Sequence, residues 1–556
     1  MFSMRSAAPT WSRFSLALVV AVWLATVGNI SLWKNLDALP EVTGLRGLGF
    51  MVAFGVAIAA VAFSLLILCA WPVLLKGVAV VMLISAAASS FFMLSYGIVI
   101  DASMMANVAG TDAREVADLL SWRLVTTLLF VGIVPAIWVS SRPLRGAPPI
   151  KRLLQNVLLA IVGFGVAIGA TLLVFQDFAS VMRNHKQIRY MINPMNGLYA
   201  SVRLAIDQIP HQQKPLEIIG QDATLGVSYQ RTQRPLRLLL VVGETSRAAN
   251  WQLGGYERPT NPELAPLLAN GQVQYFRNVM SCGTNTAASL PCMFSALGKS
   301  DYEDRDGPQE GLLDVLQRAG LAVLWIDNQS GCKGVCDRVP TVNTRDLNNP
   351  AFCPNGECFD AVMLDGLDER IAQLPAAQRD KGVVVVLHQM GSHGPAYFKR
   401  APEAYKAFKP ECTSNALQSC DRQAVVNAYD NSIRYTDHVL AASIQWLSRQ
   451  PDHDTALWYV SDHGESLGEN NLYLHGLPYS LAPVEQKHVP QVSWFSRAMQ
   501  QRLRLDTTCL AAQADVPLTH DGLFHTLLAL ADVKTALYQA SLDVTAACRQ
   551  TNKFHF

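Results

Sequence analysis

Five long apolar stretches constrain this chain more than any other feature of its sequence. They cover residues 14–33, 48–71, 78–98, 124–139 and 157–175. A helix needs roughly 20 predominantly apolar residues to cross a bilayer. The sequence therefore predicts a transmembrane domain of five helices over residues 1–177. A cleaved signal peptide at the first stretch is disfavoured, because bulky residues and four further stretches follow it.

The composition indicates either a membrane protein throughout or a membrane part joined to a soluble part. Half of the 556 residues are hydrophobic and only 16% are charged, whereas soluble proteins usually carry about 25% charged residues. The length leaves room for two or three domains. The formal net charge is only +1, so the chain lacks the basic excess typical of nucleic-acid binding, and no nucleic-acid partner is expected.

Basic residues around the apolar stretches set the predicted orientation. Arg5 and Arg13 precede the first stretch, Lys76 follows the second, and four more basic residues lie within 142–152. Because short loops rich in Lys and Arg stay in the cytoplasm, the N-terminus is predicted to be inside. Five spans then leave everything after residue 175 outside. Four basic residues depart from this rule: Lys34, Arg46, Arg114 and Arg123.

The cysteines point to the same outer compartment. Only Cys69 lies among the apolar stretches, and the other ten cysteines follow residue 281. An even number of closely spaced cysteines is typical of disulfides made in an oxidising compartment. A zinc cluster at Cys332 and Cys336 is disfavoured, because no CxxC pair or matching His-x-His follows. Pairing nearest neighbours, with the last pair by elimination, predicts the disulfides Cys282–Cys292, Cys332–Cys336, Cys353–Cys358, Cys412–Cys420 and Cys509–Cys548.

Two segments connect the predicted domains. The outward loop 101–122 has helical spacing and places Asn107, Thr111 and Glu115 at four-residue steps, which is one face of a helix. From the spacing alone, this face is interpreted as solvated. Residues 178–235 are predicted to hold an interfacial helix followed by a linker rich in Gln and Pro.

From residue 236 to residue 556, short apolar runs alternate with helical patterns. The runs at 238–242, 321–326, 383–387 and 457–460 suit strands that are buried on both faces. Helices are predicted at 309–319, 359–374, 422–447 and 520–531. This alternation predicts an α/β domain with a mostly parallel sheet, whose functional residues lie at the carboxyl ends of the strands.

Polar residues follow three of the predicted strands at that edge. Glu244 follows the first, the segment from His388 to His393 follows the third, and Asp462 and His463 follow the fourth. Carboxylate and imidazole groups together suit zinc, so Glu244, Asp462 and His463 are predicted metal ligands. The alternative is a helix cap or a loop salt bridge.

A small-residue turn supplies a hydroxyl that such a metal could activate. The segment 281–289 contains Thr284 and Thr286 and leads into a predicted helix. A hydroxyl at a helix start is usually a cap, but the free N–H groups there also hold phosphate. Metal coordination lowers the pKa of a bound hydroxyl, so either threonine is a candidate nucleophile.

Five segments of the sequence carry a resemblance to a known family. The chain resembles the lipid A phosphoethanolamine transferases, which include the mobile colistin-resistance enzymes, over essentially its whole length. The matching segments are VVGETSR, SCGTNTAASLPCMFS, DNQSGCKGVCDRVP, HQMGSHGP and SDHGESLGENNLYLHG. The resemblance implies an alkaline-phosphatase/sulfatase-like α/β domain in the periplasm, preceded by a five-span α-helical domain in the bacterial inner membrane.

The resemblance also implies roles for single residues. It implies that Thr286 rather than Thr284 is the nucleophile, and that Glu244, Thr286, Asp462 and His463 bind Zn²⁺. His393 and His475 match positions that line the substrate pocket, and either is expected to act in catalysis by protonating the leaving oxygen. A second zinc beside these two histidines is an open alternative. Six further positions match residues that contact substrate: Asn107, Thr111, Glu115, Ser330, Lys333 and His388. Because the resemblance assigns Asn107, Thr111 and Glu115 to substrate binding, it replaces the interpretation of their helix face as merely solvated.

The implied reaction transfers phosphoethanolamine from phosphatidylethanolamine to a lipid A phosphate through a phosphothreonine intermediate. It lowers the negative charge of the outer membrane, which implies polymyxin and colistin resistance. We expect a monomer. The alternatives are a transferase acting on lipopolysaccharide core sugars or a periplasmic glycan, a phosphatase or sulfatase with a soluble substrate, and a non-catalytic lipid or metal sensor.

Overall fold

The computed structural model describes residues 10–71, 73–110, 113–145, 148–208, 215–347, 349–354 and 357–550. The chain forms two compact units. The first unit comprises the described parts of Met1–Ala109 and Leu119–Ile209, and the second those of Gly110–Asp118 and Pro210–Phe556.

The first unit contains five helices long and apolar enough to cross a membrane, as the sequence predicts. Their bounds are Arg13–Asp37, Gly44–Leu68, Leu74–Tyr96, Trp122–Ser141 and Pro149–Leu173. A 3₁₀ turn at Val27–Asn29 interrupts the first, and a π-helical turn at Leu128–Ile133 interrupts the fourth. The shorter helices of this part of the chain are Ala102–Gly110, Ala113–Leu119, Phe175–Asn184, Lys186–Tyr190 and Met195–Gln208.

Small residues allow the second and fifth of these helices to approach closely. A methyl group added at Gly163 would collide with the hydroxyl of Ser64. Ser64 Oγ also donates a hydrogen bond to the carbonyl of Ala160, 3.2 Å away. Small residues and hydroxyl bonds of this kind join helices in membranes, where burial of apolar surface cannot drive helix association.

The second unit is built on an eight-stranded sheet with two short two-stranded sheets beside it. The strands are β1 (Thr224–Leu225), β2 (Leu236–Gly243), β3 (Val273–Met280), β4 (Ala322–Asp327), β5 (Thr341–Asn343), β6 (Gly382–His388), β7 (Asp454–Ser461), β8 (Ser466–Glu469), β9 (Leu472–Leu474), β10 (His488–Phe495), β11 (Leu518–Thr519) and β12 (Val533–Lys534). The large sheet has the order β11-β3-β10-β7-β2-β6-β4-β5. All its neighbours run parallel except β10, which is antiparallel to both β3 and β7.

The four predicted strands form the centre of this sheet. They are β2, β4, β6 and β7, and every residue of each is buried. Burial of both faces explains why they read as continuous apolar runs. The helices of this unit are Ser228–Arg231, Leu264–Ala269, Thr286–Met293, Gly298–Glu303, Leu312–Arg318, Leu367–Ala372, Ala376–Arg379, Arg422–Ser448, Arg497–Leu503, Thr507–Ala512 and Asp521–Leu530.

Two stretches differ in detail from the sequence-based expectation. The predicted helix 359–374 is divided into a 3₁₀ turn at Asp360–Met363 and a helix at Leu367–Ala372. Gly366 between them has φ +63°, a left-handed conformation that interrupts a helix. In the predicted linker, β1 pairs with β12, and Ile219 is buried in the same core as β2.

All five predicted disulfides are present. They are Cys282–Cys292, Cys332–Cys336, Cys353–Cys358, Cys412–Cys420 and Cys509–Cys548. Cys69 is the free cysteine of the described chain.

Candidate active site and metal centre

The register of the central strands brings the predicted ligands to one point on the sheet edge. Gly243, the last residue of β2, pairs with Ser461, the last residue of β7. Glu244 and Asp462 therefore leave the sheet side by side. Parallel neighbours place their carboxyl ends together, which is where sites form in such sheets.

Glu244, Asp462 and His463 form a compact, fully buried cluster. One ligand atom from each lies within 4.8 Å of the other two, and all three residues are 0% exposed. His463 Nε2 is 3.4 Å from Glu244 Oε1 and 3.4 Å from Asp462 Oδ2. The structure therefore brings the three predicted ligands together.

Thr286 lies against this cluster at the start of a helix. Asn285 caps the helix by accepting a hydrogen bond from Ala288 N at 2.9 Å. The Thr286 hydroxyl is 3.1 Å and 3.2 Å from the two carboxylate oxygens of Glu244 and 3.4 Å from His463 Nε2. The Thr284 hydroxyl instead donates to the carbonyl of Leu477 at 2.6 Å. Only Thr286, of the two candidate threonines, is thus poised beside the carboxylate.

The cluster concentrates negative charge in a buried space. Burial and the adjacent Glu244 carboxylate raise the pKa of Asp462 to about 7. Burial raises the pKa of Glu244, but the hydrogen bond and charge of His463, together with the charges of His393 and His388, outweigh burial and hold that pKa well below its usual range. Burial lowers the pKa of His463, whereas Asp462 and Glu244 raise it to about 9. Two buried carboxylates close to one imidazole are an arrangement that a cation stabilises.

The hydrogen bonds leave suitable atoms for a metal ion. Asp462 Oδ1 accepts hydrogen bonds from Thr245 N and His463 N, whereas the buried Oδ2 has no hydrogen-bond partner in the described chain. His463 Nδ1 donates to the carbonyl of Gly464 at 2.9 Å, which directs Nε2 toward the cluster. Within the described residues, the two other groups of metal-binding side chains contain Cys282–Cys292 and Cys332–Cys336, whose sulfurs are joined in disulfides.

Two further histidines lie beside the cluster. The ring centroids of His463 and His475 are 4.3 Å apart, and those of His393 and His475 are 5.7 Å apart. Glu465, which is fully buried, contacts His475 Nδ1 through Oε2 at 2.9 Å. Burial raises the pKa of Glu465 to about 8. Sequence reasoning missed Glu465, although the motif SDHGES places it two residues after His463.

The predicted substrate residues of this unit lie at or just after the carboxyl ends of β4 and β6. His388 is fully buried at the end of β6, and its Nδ1 is 3.1 Å from Asp327 Oδ2. Lys333 Nζ donates to Ser330 Oγ at 3.0 Å. Sequence reasoning also missed Asp327, although this residue directly follows the predicted strand 321–326.

The predicted headgroup residues fall in the loop between the third and fourth spans. Asn107 lies on the helix Ala102–Gly110 of the first unit and is partly exposed. Thr111 lies outside the described residues, as does the side chain of Glu115, whose backbone belongs to the helix Ala113–Leu119.

Gly391 provides a direct test of how tightly Glu244 is held. It has φ +52°, and a methyl group there would lie 2.5 Å from the carbonyl oxygen of Glu244. We expect Gly391→Ala to displace Glu244 and to lower kcat/KM by about 10²-fold, the scale of a 1 Å misplacement. The control is Gly271→Ala, which has a similar φ of +70° but open space around it. Equal activity of the two variants would show that the close contact is unimportant.

A buried carboxylate–imidazole cluster at the carboxyl edge of a mostly parallel sheet, with a hydroxyl at a helix start beside it, is the arrangement expected of a sulfatase-like enzyme. The sulfatase family profile matches residues 237–533, which confirms the predicted fold. The profile described as phosphoethanolamine transferase EptA/EptB matches residues 58–209.

Individual relatives agree over nearly the whole chain. The phosphoethanolamine transferase EptA of Salmonella typhimurium is 40% identical over 555 residues, covering 98% of each chain. The phosphatidylethanolamine transferase Mcr-1 of Escherichia coli is 37% identical over 533 residues, covering 94% of this chain and 95% of the relative. The integral membrane lipooligosaccharide phosphoethanolamine transferase A of Neisseria meningitidis has a similar structure, with a TM-score of 0.91 and 35% identity over 98% of this chain and 100% of that one. The chain belongs to the phosphoethanolamine transferase family, and the predicted resemblance is confirmed.

Proposed function

We propose that the protein transfers phosphoethanolamine from phosphatidylethanolamine to a phosphate of lipid A, on the periplasmic face of the bacterial inner membrane. The observation that carries this proposal is the Thr286 hydroxyl, 3.1 Å from a Glu244 oxygen and next to Asp462 and His463. The family to which the chain belongs indicates that the transferred group is phosphoethanolamine. The five apolar helices explain why such an enzyme can take a donor that is itself a bilayer lipid.

The donor atoms around Thr286 fit a zinc ion. Glu244, Asp462 and His463 supply two carboxylates and an imidazole, which are ligands that zinc accepts, and Thr286 completes the set. When bound, zinc supplies Lewis-acid chemistry and favours ionisation of a nearby hydroxyl. One ion accounts for this donor set, and a second zinc beside His393 and His475 is not required by the scheme below.

Thr286 is the nucleophile in the first half of the reaction. Its oxygen forms a bond to the phosphorus of phosphatidylethanolamine, and the bond from phosphorus to the diacylglycerol oxygen breaks. The neighbouring histidines His475 and His393 are the candidates to give the leaving oxygen a proton. Glu465 orients His475 through Nδ1. The hydroxyl also starts a helix, where free N–H groups and the helix dipole stabilise phosphate.

The remaining predicted residues hold the substrate. Lys333 offsets the charge of the phosphate, and Ser330 positions Lys333 Nζ. His388 lines the pocket, with Asp327 fixing its ring. Asn107, Thr111 and Glu115 bind the phosphoethanolamine headgroup of the donor, where the Glu115 carboxylate favours the ammonium end.

The second half of the reaction regenerates the enzyme. An oxygen of a lipid A phosphate attacks the phosphorus of phosphothreonine 286. The bond from phosphorus to the threonine oxygen then breaks. The product carries an added ammonium group, so the lipid A surface loses net negative charge and binds cationic polymyxins less well.

Mass spectrometry of lipid A tests the proposal directly. Bacteria that express the chain should gain one phosphoethanolamine on lipid A, and bacteria with an empty vector should not. Polymyxin susceptibility should fall in parallel. Modification of core sugars or a periplasmic glycan with unmodified lipid A would contradict the proposed acceptor while retaining the transfer chemistry. Release of free phosphoethanolamine without any modified glycolipid would instead indicate a phosphatase.

A further inference from the structure

A group of ion pairs around the buried side chains of Asp118 and Arg400 joins one short helix to the loop that carries His393. The helix is Ala113–Leu119, and its residue Asp118 groups with the second unit although it lies between two membrane spans in sequence. Asp118 is only 4% exposed. A carboxylate this deeply buried requires partners.

Two adjacent cations supply these partners. Arg400 Nη2 is 3.0 Å from Asp118 Oδ2, and Lys399 Nζ contacts Asp118 Oδ1. The side chain of Asn415 donates to the backbone carbonyl of Asp118 at 2.6 Å. Asp118 is thus held through both its carboxylate and its backbone.

The guanidinium of Arg400 joins three acceptors at once. Its Nη2 donates to Asp118, its Nη1 contacts Glu357 Oε2 at 2.7 Å, and its Nε donates to the carbonyl oxygen of His393 at 2.8 Å. The Arg400 side chain is only 4% exposed. A planar guanidinium presents its donors in a rigid fork, so the position of Asp118 and that of the His393 backbone depend on each other.

The Asp118–Arg400 pair links the helix whose backbone includes Glu115 to the loop that carries His393. Glu115 precedes Asp118 by about one helical turn on the same helix, and His393 lies beside His475. We propose that Asp118 and Arg400 are positioning residues. This Asp118–Arg400 clamp holds the headgroup-binding helix Ala113–Leu119 in a fixed position relative to the His393 loop. The inference rests on the proposed function, because it assigns this helix to the phosphatidylethanolamine donor.

Steady-state kinetics of the full chain in lipid nanodiscs separate the effect of Asp118 on donor binding from the effect of Arg400 on catalysis. Asp118→Asn keeps the shape of the side chain but removes its charge, so the helix loosens and the KM for phosphatidylethanolamine should rise by roughly tenfold. Arg400→Lys keeps a charge for Asp118 but removes the donor to the His393 carbonyl, so kcat should fall by about 10²-fold. A purely structural role predicts parallel losses in both variants rather than this split.

Hydrogen–deuterium exchange tests the clamp without relying on activity. The amides of residues 113–119 should exchange about tenfold faster in Asp118→Asn, because the buried ion pair that attaches this helix to Arg400 is lost. The matched control is Asp515→Asn, which breaks the exposed pair with Arg277, whose side chains are 47% and 79% exposed. This control should change neither the exchange of these amides nor the KM.

These measurements distinguish a failure of the clamp from a failure of the proposed function. Unchanged exchange and an unchanged KM in Asp118→Asn overturn the clamp. Parallel losses in KM and kcat with a lowered melting temperature in both variants also overturn it, because they indicate only a structural role. A wild-type chain that transfers no phosphoethanolamine overturns the proposed function, while the exchange measurement still decides whether the helix is fastened.

Discussion

Thr286→Ala is expected to abolish phosphoethanolamine transfer. The variant removes the hydroxyl that lies 3.1 Å from Glu244 Oε2 and 3.4 Å from His463 Nε2. Loss of a nucleophile lowers kcat by roughly 10⁴–10⁶-fold in enzymes that form a covalent intermediate. The fold should survive, because the Thr245 hydroxyl still donates to Glu244 Oε1 at 2.6 Å. Transfer is measured by mass spectrometry of lipid A after expression at equal protein levels.

Two threonine variants serve as controls. Thr286→Ser keeps a hydroxyl and should retain part of the activity. Thr284→Ala removes the hydrogen bond to the Leu477 carbonyl, so it should cost stability of about 1 kcal/mol and leave the nucleophile in place. Incubation of the wild type with donor and no acceptor should add phosphoethanolamine to the peptide that contains Thr286. Full activity of Thr286→Ala would exclude this nucleophile, and inactivity of Thr284→Ala with a normal melting temperature would favour the other threonine.

The parts of the structure that can be predicted from sequence are those with a strong local signal. The membrane spans are recognisable because a lipid-facing helix must be apolar over its whole length. The central strands β2, β4, β6 and β7 are recognisable because burial on both faces removes any polar alternation. The residues that follow these strands are then brought together by the sheet register, as Gly243 opposite Ser461 shows.

The parts that cannot be predicted depend on contacts between distant segments. Strand β10 begins with His488 and contains Pro490 and Gln491, and nothing in it indicates that it runs antiparallel between β3 and β7. Spacing alone could not choose Thr286 over Thr284, since the choice depends on where the helix begins after its cap Asn285. The partnership of Asp118 with Arg400 joins residues 282 positions apart, which no local pattern encodes.

The buried charges around Thr286 lead to a second large expected effect, the loss of zinc binding in Asp462→Asn. Asp462 Oδ2 is buried without a hydrogen-bond partner in the described chain, whereas Oδ1 is already engaged by two backbone N–H groups. The substitution therefore removes charge and a donor oxygen at the atom best placed to bind a cation. Even indirect changes near a metal ligand weaken affinity by about 10–100-fold, so a direct ligand should cost at least about 10²-fold, and transfer activity should be lost.

Thermal unfolding gives a readout of this effect that is independent of catalysis. An ion present at 1,000 times its Kd stabilises the native state by about 4 kcal/mol, so a chelator should lower the melting temperature of the wild type and added zinc should restore it. In Asp462→Asn both responses should nearly vanish. Asp337→Asn is the matched control: this exposed residue belongs to a group whose cysteines, Cys332 and Cys336, are joined in a disulfide, so the wild-type response to chelator and zinc should remain. An undiminished zinc response in Asp462→Asn would contradict the assignment of the buried carboxylate as a ligand, because the ion would then bind equally well without the Asp462 charge and its Oδ2 atom.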